Sequence, residues 1–160
     1  SRSKDQNNSA LPVEQVNWFD CEELLRHQGL VLPSELRWEY GCRAGTTTAW
    51  WTGAKEESQE GKENFGGGGL KPIGSLAPNP FGLFDVGGNL WEWCLDDSGD
   101  YGTERPVDGL RPSSGSAGRG YRGGVFDFGA ARARSGYRRD LVPTSRIGGL
   151  GLRPARTSRL

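Results

Sequence analysis

Apolar positions along this chain come in short bursts separated by polar and glycine-rich runs. Residues 1–11 are polar and read as a flexible lead, so the fold is expected to begin near Pro12. Pro12-Val13-Glu14-Gln15-Val16-Asn17-Trp18 alternates apolar and polar side chains, the pattern of a short extended segment. Asp20 is placed to cap a helix. Glu22 and Glu23 follow in its first turn, where the positive helix end favours carboxylates, Leu24 and Leu25 supply its apolar stripe, and Gly29 stops it. Leu30-Val31-Leu32-Pro33 reads as a brief strand or turn. Ser34 then opens a second short helix running through Arg43, with Leu36, Trp38 and Tyr40 as its apolar surface.

Beyond residue 56 the pattern loosens. Glu56 to Gly69 is polar and ends in four consecutive glycines, Gly66 to Gly69. No G-K-[ST] follows, and Lys71-Pro72 blocks a helix start, so a flexible loop is favoured over a phosphate cradle. The block from Asn79 to Cys94 sets Phe81, Phe84, Trp91 and Trp93 among glycines, as expected where tight turns pass close to buried rings at the centre of a core. Residues 98–120 are rich in Gly, Ser and Pro and read as a long connection. From Tyr121 to Leu160 the chain is studded with arginines and has no lysine.

Composition narrows the class. The 160 residues suit one domain, and 26 glycines with nine prolines make it loop-rich. Six tryptophans, six phenylalanines and four tyrosines are too many rings for a disordered chain. Twenty basic side chains balance twenty acidic ones, which disfavours a general hold on nucleic acid. The tail arginines Arg132, Arg134, Arg138, Arg139, Arg146, Arg153 and Arg156 are therefore read as partners of core carboxylates rather than an RNA patch. No apolar run could span a bilayer, and the given N-terminus carries no signal peptide, so no membrane insertion is expected. Three cysteines, Cys21, Cys42 and Cys94, and the single His27 lack the spacing of a zinc site or a disulfide framework, and neither zinc nor a nucleotide is expected. His27 reads as an exposed helix residue. The chain has no methionine, so a segment upstream is expected.

Three segments carry a resemblance: P-V-E-x-V-x-W at 12–18, L-x-L-P-S-E-x-x-W-E-Y at 30–40, and N-P-F-G-L-F-D-V-G-G-N-L-W-E-W-C at 79–94. R-G-G at 122–124 and the arginine, proline and glycine spacing from Arg138 to Arg153 extend it. The chain is similar to the formylglycine-generating enzyme (sulfatase-modifying factor) family. The resemblance implies an α+β, C-type-lectin-like domain over 12–160, with short helices, long loops and a twisted antiparallel sheet. A stretch that the family carries before P-V-E, a G-x-F-x-M-G strand and a helix, is absent. The resemblance then implies another chain or an upstream segment completing the fold. In the family, cysteines between R-G-G and the last G-F-R bind copper and oxidise a substrate thiol. This chain has no cysteine after Cys94, so neither copper nor formylglycine generation is expected. The related sulfoxide synthases hold iron on several histidines, which one His27 cannot supply.

A third group with this fold, the variable proteins of diversity-generating retroelements, offers a residue rule. Copying errors at the adenines of AAY codons never produce Lys, Glu, Gln, Met or Trp, and residues 121–160 contain none of these five. At the composition of residues 1–120, a stretch of that length would hold about eight of them. Residues 121–160 therefore form the expected variable region. Within it Gly123, Gly124, Arg134, Arg138, Pro143, Arg146, Gly151 and Arg153 match fixed family positions, with tight turns or buried guanidinium contacts as their role. Phe126 is also assigned to the scaffold. The expected ligand-binding face comprises Val125, Asp127, Phe128, Arg132, Tyr137, Arg139, Asp140, Leu141, Val142, Thr144, Ser145, Ile147, Gly148 and Gly149. Rigid aromatics would anchor a protein or other macromolecular ligand, and small residues would adapt to it. The competing reading makes Val125, Phe128, Leu141, Val142 and Ile147 core.

The resemblance also implies calcium at the G-N-x-W-E-W turn, where Asp85, Asn89 and Glu92 would supply oxygens beside the Gly87 or Gly88 carbonyl. A second family site would use Asn64 and the Phe65 carbonyl, but the acidic segment completing it is short. The alternative for Glu92 is a buried pair with a tail arginine such as Arg153. Two functions stand open: a non-catalytic binder diversified in its tail, and a thiol oxidoreductase or pseudo-enzyme of the same family working with another subunit. Free cysteines favour an intracellular site, and a displayed lectin fold favours a surface.

Overall fold

The computed structural model describes residues 10–100, 110, 115 and 117–157. The lead at 1–9 and most of the connection expected at 98–120 lie outside them. Helix α1 spans Trp18–His27 and α2 spans Glu35–Arg43. Strands β1 (Trp91–Asp97), β2 (Arg119–Arg122), β3 (Arg138–Leu141) and β4 (Leu150–Leu152) form one sheet in the order β3-β2-β1-β4. One-turn 3-10 helices lie at Glu56–Gln59 and Ala130–Ala133.

Both helices start where polar side chains satisfy their first free N–H groups, one residue set differing from expectation. Asn17, not Asp20, caps α1. Asn17 accepts from the Asp20 N–H, and Asp20 reaches back to the Asn17 N–H, closing a reciprocal box. Trp18, Cys21 and Leu25 face inward while Leu24 is exposed. Ser34 caps α2 as expected, but the buried side of this helix is Glu35, Trp38 and Cys42, and Leu36 and Tyr40 point outward. Residues 12–17 form no strand. Val31 makes an isolated antiparallel bridge to Ala155.

The sheet is mixed rather than antiparallel: β4 runs parallel to β1, while β1–β2 and β2–β3 are antiparallel. The reason is the route of the chain, which leaves β3 at one edge of the sheet and enters β4 at the other. The period of two along β1 sorts its side chains. Trp91 and Trp93 share a face with Tyr121 and join Trp18, Cys21, Leu25, Leu32, Val125 and Leu150 in an apolar core. Glu92, Cys94 and Asp96 alternate with those rings, and α2 packs near this charged face. Burying the large indoles would be costly unless their N–H groups found acceptors. Trp18 donates to Cys94 O, Trp38 to Glu92, Trp50 to Ala130 O, Trp51 to Glu63 and Trp93 to Val16 O.

The four-glycine run is not a loose loop. Gly66 and Gly67 donate to the carbonyls of Phe128 and Phe126 at 3.0 and 2.7 Å, and Gly69 O accepts from Asn64. Phe81 and Phe84 lie at the surface instead of the core.

Candidate functional site

Strand β3 is a sheet edge, and two segments flank it: the β2–β3 connection at 123–137 and the crossover at 142–149. Gly123 and Gly124 turn the chain out of β2 with φ of 104° and 80°, which side chains rarely tolerate. Phe126 N–H then donates to Asn89 O, and Phe126 packs on the apolar core. Past β3, the Pro143 carbonyl accepts from Trp18 N–H and Arg146 pairs with Asp20 at 2.5 Å, pinning the crossover to α1.

This geometry divides the expected ligand-binding residues. Asp127, Phe128, Arg139, Asp140, Val142, Thr144, Ile147 and Gly148 are exposed on β3 and its two flanks. Arg132, Tyr137, Leu141 and Ser145 are half-buried. The Arg132 guanidinium lies 3.8 Å over the Phe128 ring, and Tyr137 and Leu141 pack against the core, Tyr137 on Trp91. Val125 and Gly149 do not belong to the surface. Val125 is buried in the apolar core, and a Cβ on Gly149 would stand 2.7 Å from Val125 Cγ2. The Gly149 N–H is further held by the Glu14 carboxylate at 2.6 Å. For Phe128, Val142 and Ile147 the core reading is overturned, because all three are exposed.

Of the tail arginines expected to pair with carboxylates, Arg138, Arg146 and Arg153 do, on Glu35, Asp20 and Glu92, whereas Arg132 lies over Phe128 and Arg134 bonds the Ala131 carbonyl. Arg122, fully buried, meets Glu39 Oε2 at 2.5 Å and Glu35 at 3.3 Å, and Arg138 holds both Glu35 oxygens at 2.8 and 3.0 Å. Burial works to raise the Glu39 pKa, but hydrogen bonds from Arg122 and Arg43 outweigh it and hold the carboxyl below its usual range. Arg134 and Arg146 differ from expectation, since both guanidiniums are exposed rather than buried.

The turn from Asp85 to Glu92 is rich in oxygens, and most are already used. Arg153 donates to both Glu92 oxygens and to the Phe84 and Asp85 carbonyls, and Trp38 adds a further bond to Glu92. Asn89 Oδ1 accepts from Asn64 and from Lys71 N–H, and its amide donates to Lys71 O. Asp85 Oδ2 accepts from Gly74 N–H, leaving Asp85 Oδ1 as a buried oxygen without a donor. A calcium ion needs six to eight oxygens, and of the three named residues only Asp85 has one to spare. Asp85, Asn89 and Glu92 therefore do not fit the ion together, and the pairing of Glu92 with Arg153 prevails. Asn64, of the second family site, is buried and spends its amide on Gly69 O and Asn89.

The thiols are buried and unpaired with one another. Burial, helped by the charge of Asp20, pushes Cys21 up to about 12. Burial pushes Cys42 to about 12 and Cys94 well above its ordinary value. Sequence reasoning missed Glu63, which accepts from Trp51 Nε1 and from Gly87 N–H at 3.0 Å inside the protein. Burial lifts its pKa to about 8. No periodic pattern marks it, because both partners arrive from distant turns.

The profile of the Sulfatase-modifying factor enzyme 1-like domain matches residues 1–158. The chain belongs to this family. The match of the sulfatase-modifying-factor domain takes in the polar lead as well, and at its end the Ala10 carbonyl accepts from Ile73 N–H at 2.7 Å. A formylglycine-generating enzyme of Streptomyces coelicolor is 35% identical over 166 residues, covering 90% of this chain and 52% of that protein. The inactive C-alpha-formylglycine-generating enzyme 2 of Mus musculus is 32% identical over 98 residues, covering 52% of this chain and 31% of its own. Among solved structures, Treponema denticola variable protein 1 superposes with a TM-score of 0.84 at 25% identity, covering 98% of this chain and 75% of that one. The sulfatase-modifying-factor domain described here spans about half the length of the Streptomyces relative. Its fold is the α+β, C-type-lectin-like one that the motifs imply. No helix among its described residues is long and apolar enough to cross a membrane.

Proposed function

We propose that this domain is a non-catalytic ligand-binding module whose ligand surface is the β3 edge with its two flanking segments, varied by adenine-directed copying. The observation that carries the reading is the exposure of Phe128, Val142 and Ile147 on the two segments that flank the exposed Arg139 and Asp140 along the chain. Exposed apolar side chains among charged ones, on loops held by a fixed scaffold, are what an adaptable paratope uses. The likeness to a variable protein and the restricted residue set of 121–160 support it. The competing reading is thiol oxidation of the kind performed by formylglycine-generating enzymes. It has less support, since all three thiols are buried and protonated.

Sequencing the DNA around the gene tests the proposal. The expected result is a near-copy of the 121–160 coding region, differing at adenines, beside a reverse transcriptase. A single copy with no such neighbour overturns the diversified reading. A protein-level arm replaces Phe128, Arg139, Asp140 and Ile147 together by serine. Thermal unfolding should shift by no more than about 4 °C, as for surface changes, and a loss of folding would return these residues to the scaffold.

A further inference from the structure

We propose that a crevice lined by Arg43, Ala49, Arg134, Gly136 and Tyr137 binds an oxyanion, the carboxylate or phosphate group of a small ligand. The crevice has a volume of about 370 Å³; the Glu39 carboxylate, held by Arg43, stands at its edge, 3.9 Å from where a Cβ on Gly136 would lie. It lies between the end of α2 and the stretch leading into β3. Ser135 N–H donates to Ala49 O at 2.9 Å and Tyr137 N–H to Arg134 O at 2.8 Å, so its walls are stitched together by backbone bonds.

Three residues that line it carry donors with capacity to spare. Arg43 spends Nε on Glu39 at 2.8 Å and Nη1 on Thr48 O at 3.0 Å. Its Nη2 lies 3.4 Å from where a Cβ on Gly136 would stand, so the missing side chain leaves that nitrogen open to the crevice. Arg134 spends only Nε, on Ala131 O at 2.9 Å, and its terminal nitrogens meet no acceptor among the described residues. The Tyr137 hydroxyl also has no hydrogen-bond partner among them.

Charge points the same way. Glu39 is shared between Arg43 and the buried Arg122, and Glu35 between Arg122 and Arg138, so two carboxylates face three guanidiniums before Arg134 is counted. Guanidiniums present parallel N–H groups that match the two oxygens of a carboxylate or phosphate, and such charge-assisted bonds are about twice as strong as neutral ones.

Calorimetric titration at constant ionic strength, with inorganic phosphate in one arm and acetate in the other, tests the site. The expected result is saturable, one-to-one binding of at least one probe, and the tighter probe identifies the group the site takes. Arg134→Met, an exposed side chain whose loss leaves the fold intact, should weaken that binding by about tenfold or more. Tyr137→Phe should weaken it less, and Arg26→Met, an exposed arginine on α1, should not change it. Absence of saturation with both probes overturns the proposal. So does an Arg26→Met loss equal to that of Arg134→Met, which would mark screening by the whole surface.

Discussion

Arg153 donates from Nε and Nη2 to the two oxygens of Glu92, at 2.8 and 2.7 Å, and so brings the end of the chain onto the start of β1. The same Nη2 reaches the carbonyls of Phe84 and Asp85. A guanidinium thus sits where an oxygen-rich turn would otherwise need a cation. The planar fork matches the carboxylate, and the turn positions the two carbonyls behind it.

Removing that guanidinium should cost far more than a surface ion pair. Arg153→Met leaves Glu92 largely buried with only Trp38 as donor, and a loss of about 3 kcal/mol in urea-induced unfolding is expected. Calcium should leave the melting temperature of the native protein unchanged and raise that of Arg153→Met, because only the variant frees the Glu92 oxygens. A calcium-dependent rise in the native protein would show that the turn takes the ion despite Arg153.

The two helices, the glycine turns of 123–124 and the carboxylate pairs of Arg138, Arg146 and Arg153 were legible because each has a local signature: polar residues at a helix start, a glycine pair, a surplus of one charge type. The mixed sheet was not, since the direction of β4 depends on where the crossover travels and not on its own residues. Val125 and Gly149 were misplaced for a related reason. Val125 and Gly149 stand 24 residues apart in a stretch without periodicity, which carries no sign that they pack together. The inward turn of Glu35 on α2 breaks the apolar pattern and is met by Arg122 and Arg138, which lie more than eighty residues further along.

Glu63 makes stability fall as pH rises. Its pKa is lifted by burial from 4.5 to about 8, with hydrogen bonds from Trp51 and Gly87 opposing the shift. The folded state therefore binds more protons than the unfolded chain between those values, and the stability from the protonated form is full below about 4.5 and is lost as pH rises through about 8. Chemical unfolding between pH 5 and pH 8 should show a decline on the order of 1 kcal/mol per pH unit. Glu63→Gln should flatten that decline. An equal slope in the variant would assign the pH dependence to another group.

The thiols should be silent in the folded protein. Burial pushes Cys21 and Cys42 up to about 12 and Cys94 well above its ordinary value. A thiolate-specific reagent at pH 8 should label none of the three in native buffer and all three in denaturant. Rapid labelling of one thiol in the folded state would supply the nucleophile that the enzymatic reading requires.

Gly88 and Gly66 separate two reasons for glycine. Both have positive φ, 86° and 83°, so an alanine at either is strained by the backbone itself, at about 1–2 kcal/mol. Around Gly66 there is open space, and that strain is the whole expected cost. Gly88 forms a bridge with Asn64 and donates its N–H to Gly123 O at 2.6 Å, so its backbone is fixed between two neighbours. A Cβ there would run into the Asn64 carbonyl, which cannot move away, because it accepts from Asn89 N–H at 2.8 Å. Gly88→Ala should therefore lose at least about 3 kcal/mol, while Gly66→Ala stays near the strain value in the same denaturation series. Equal losses would mean that the Asn64 backbone gives way without cost, and that the close packing at Gly88 does not hold the turn before β1 in place.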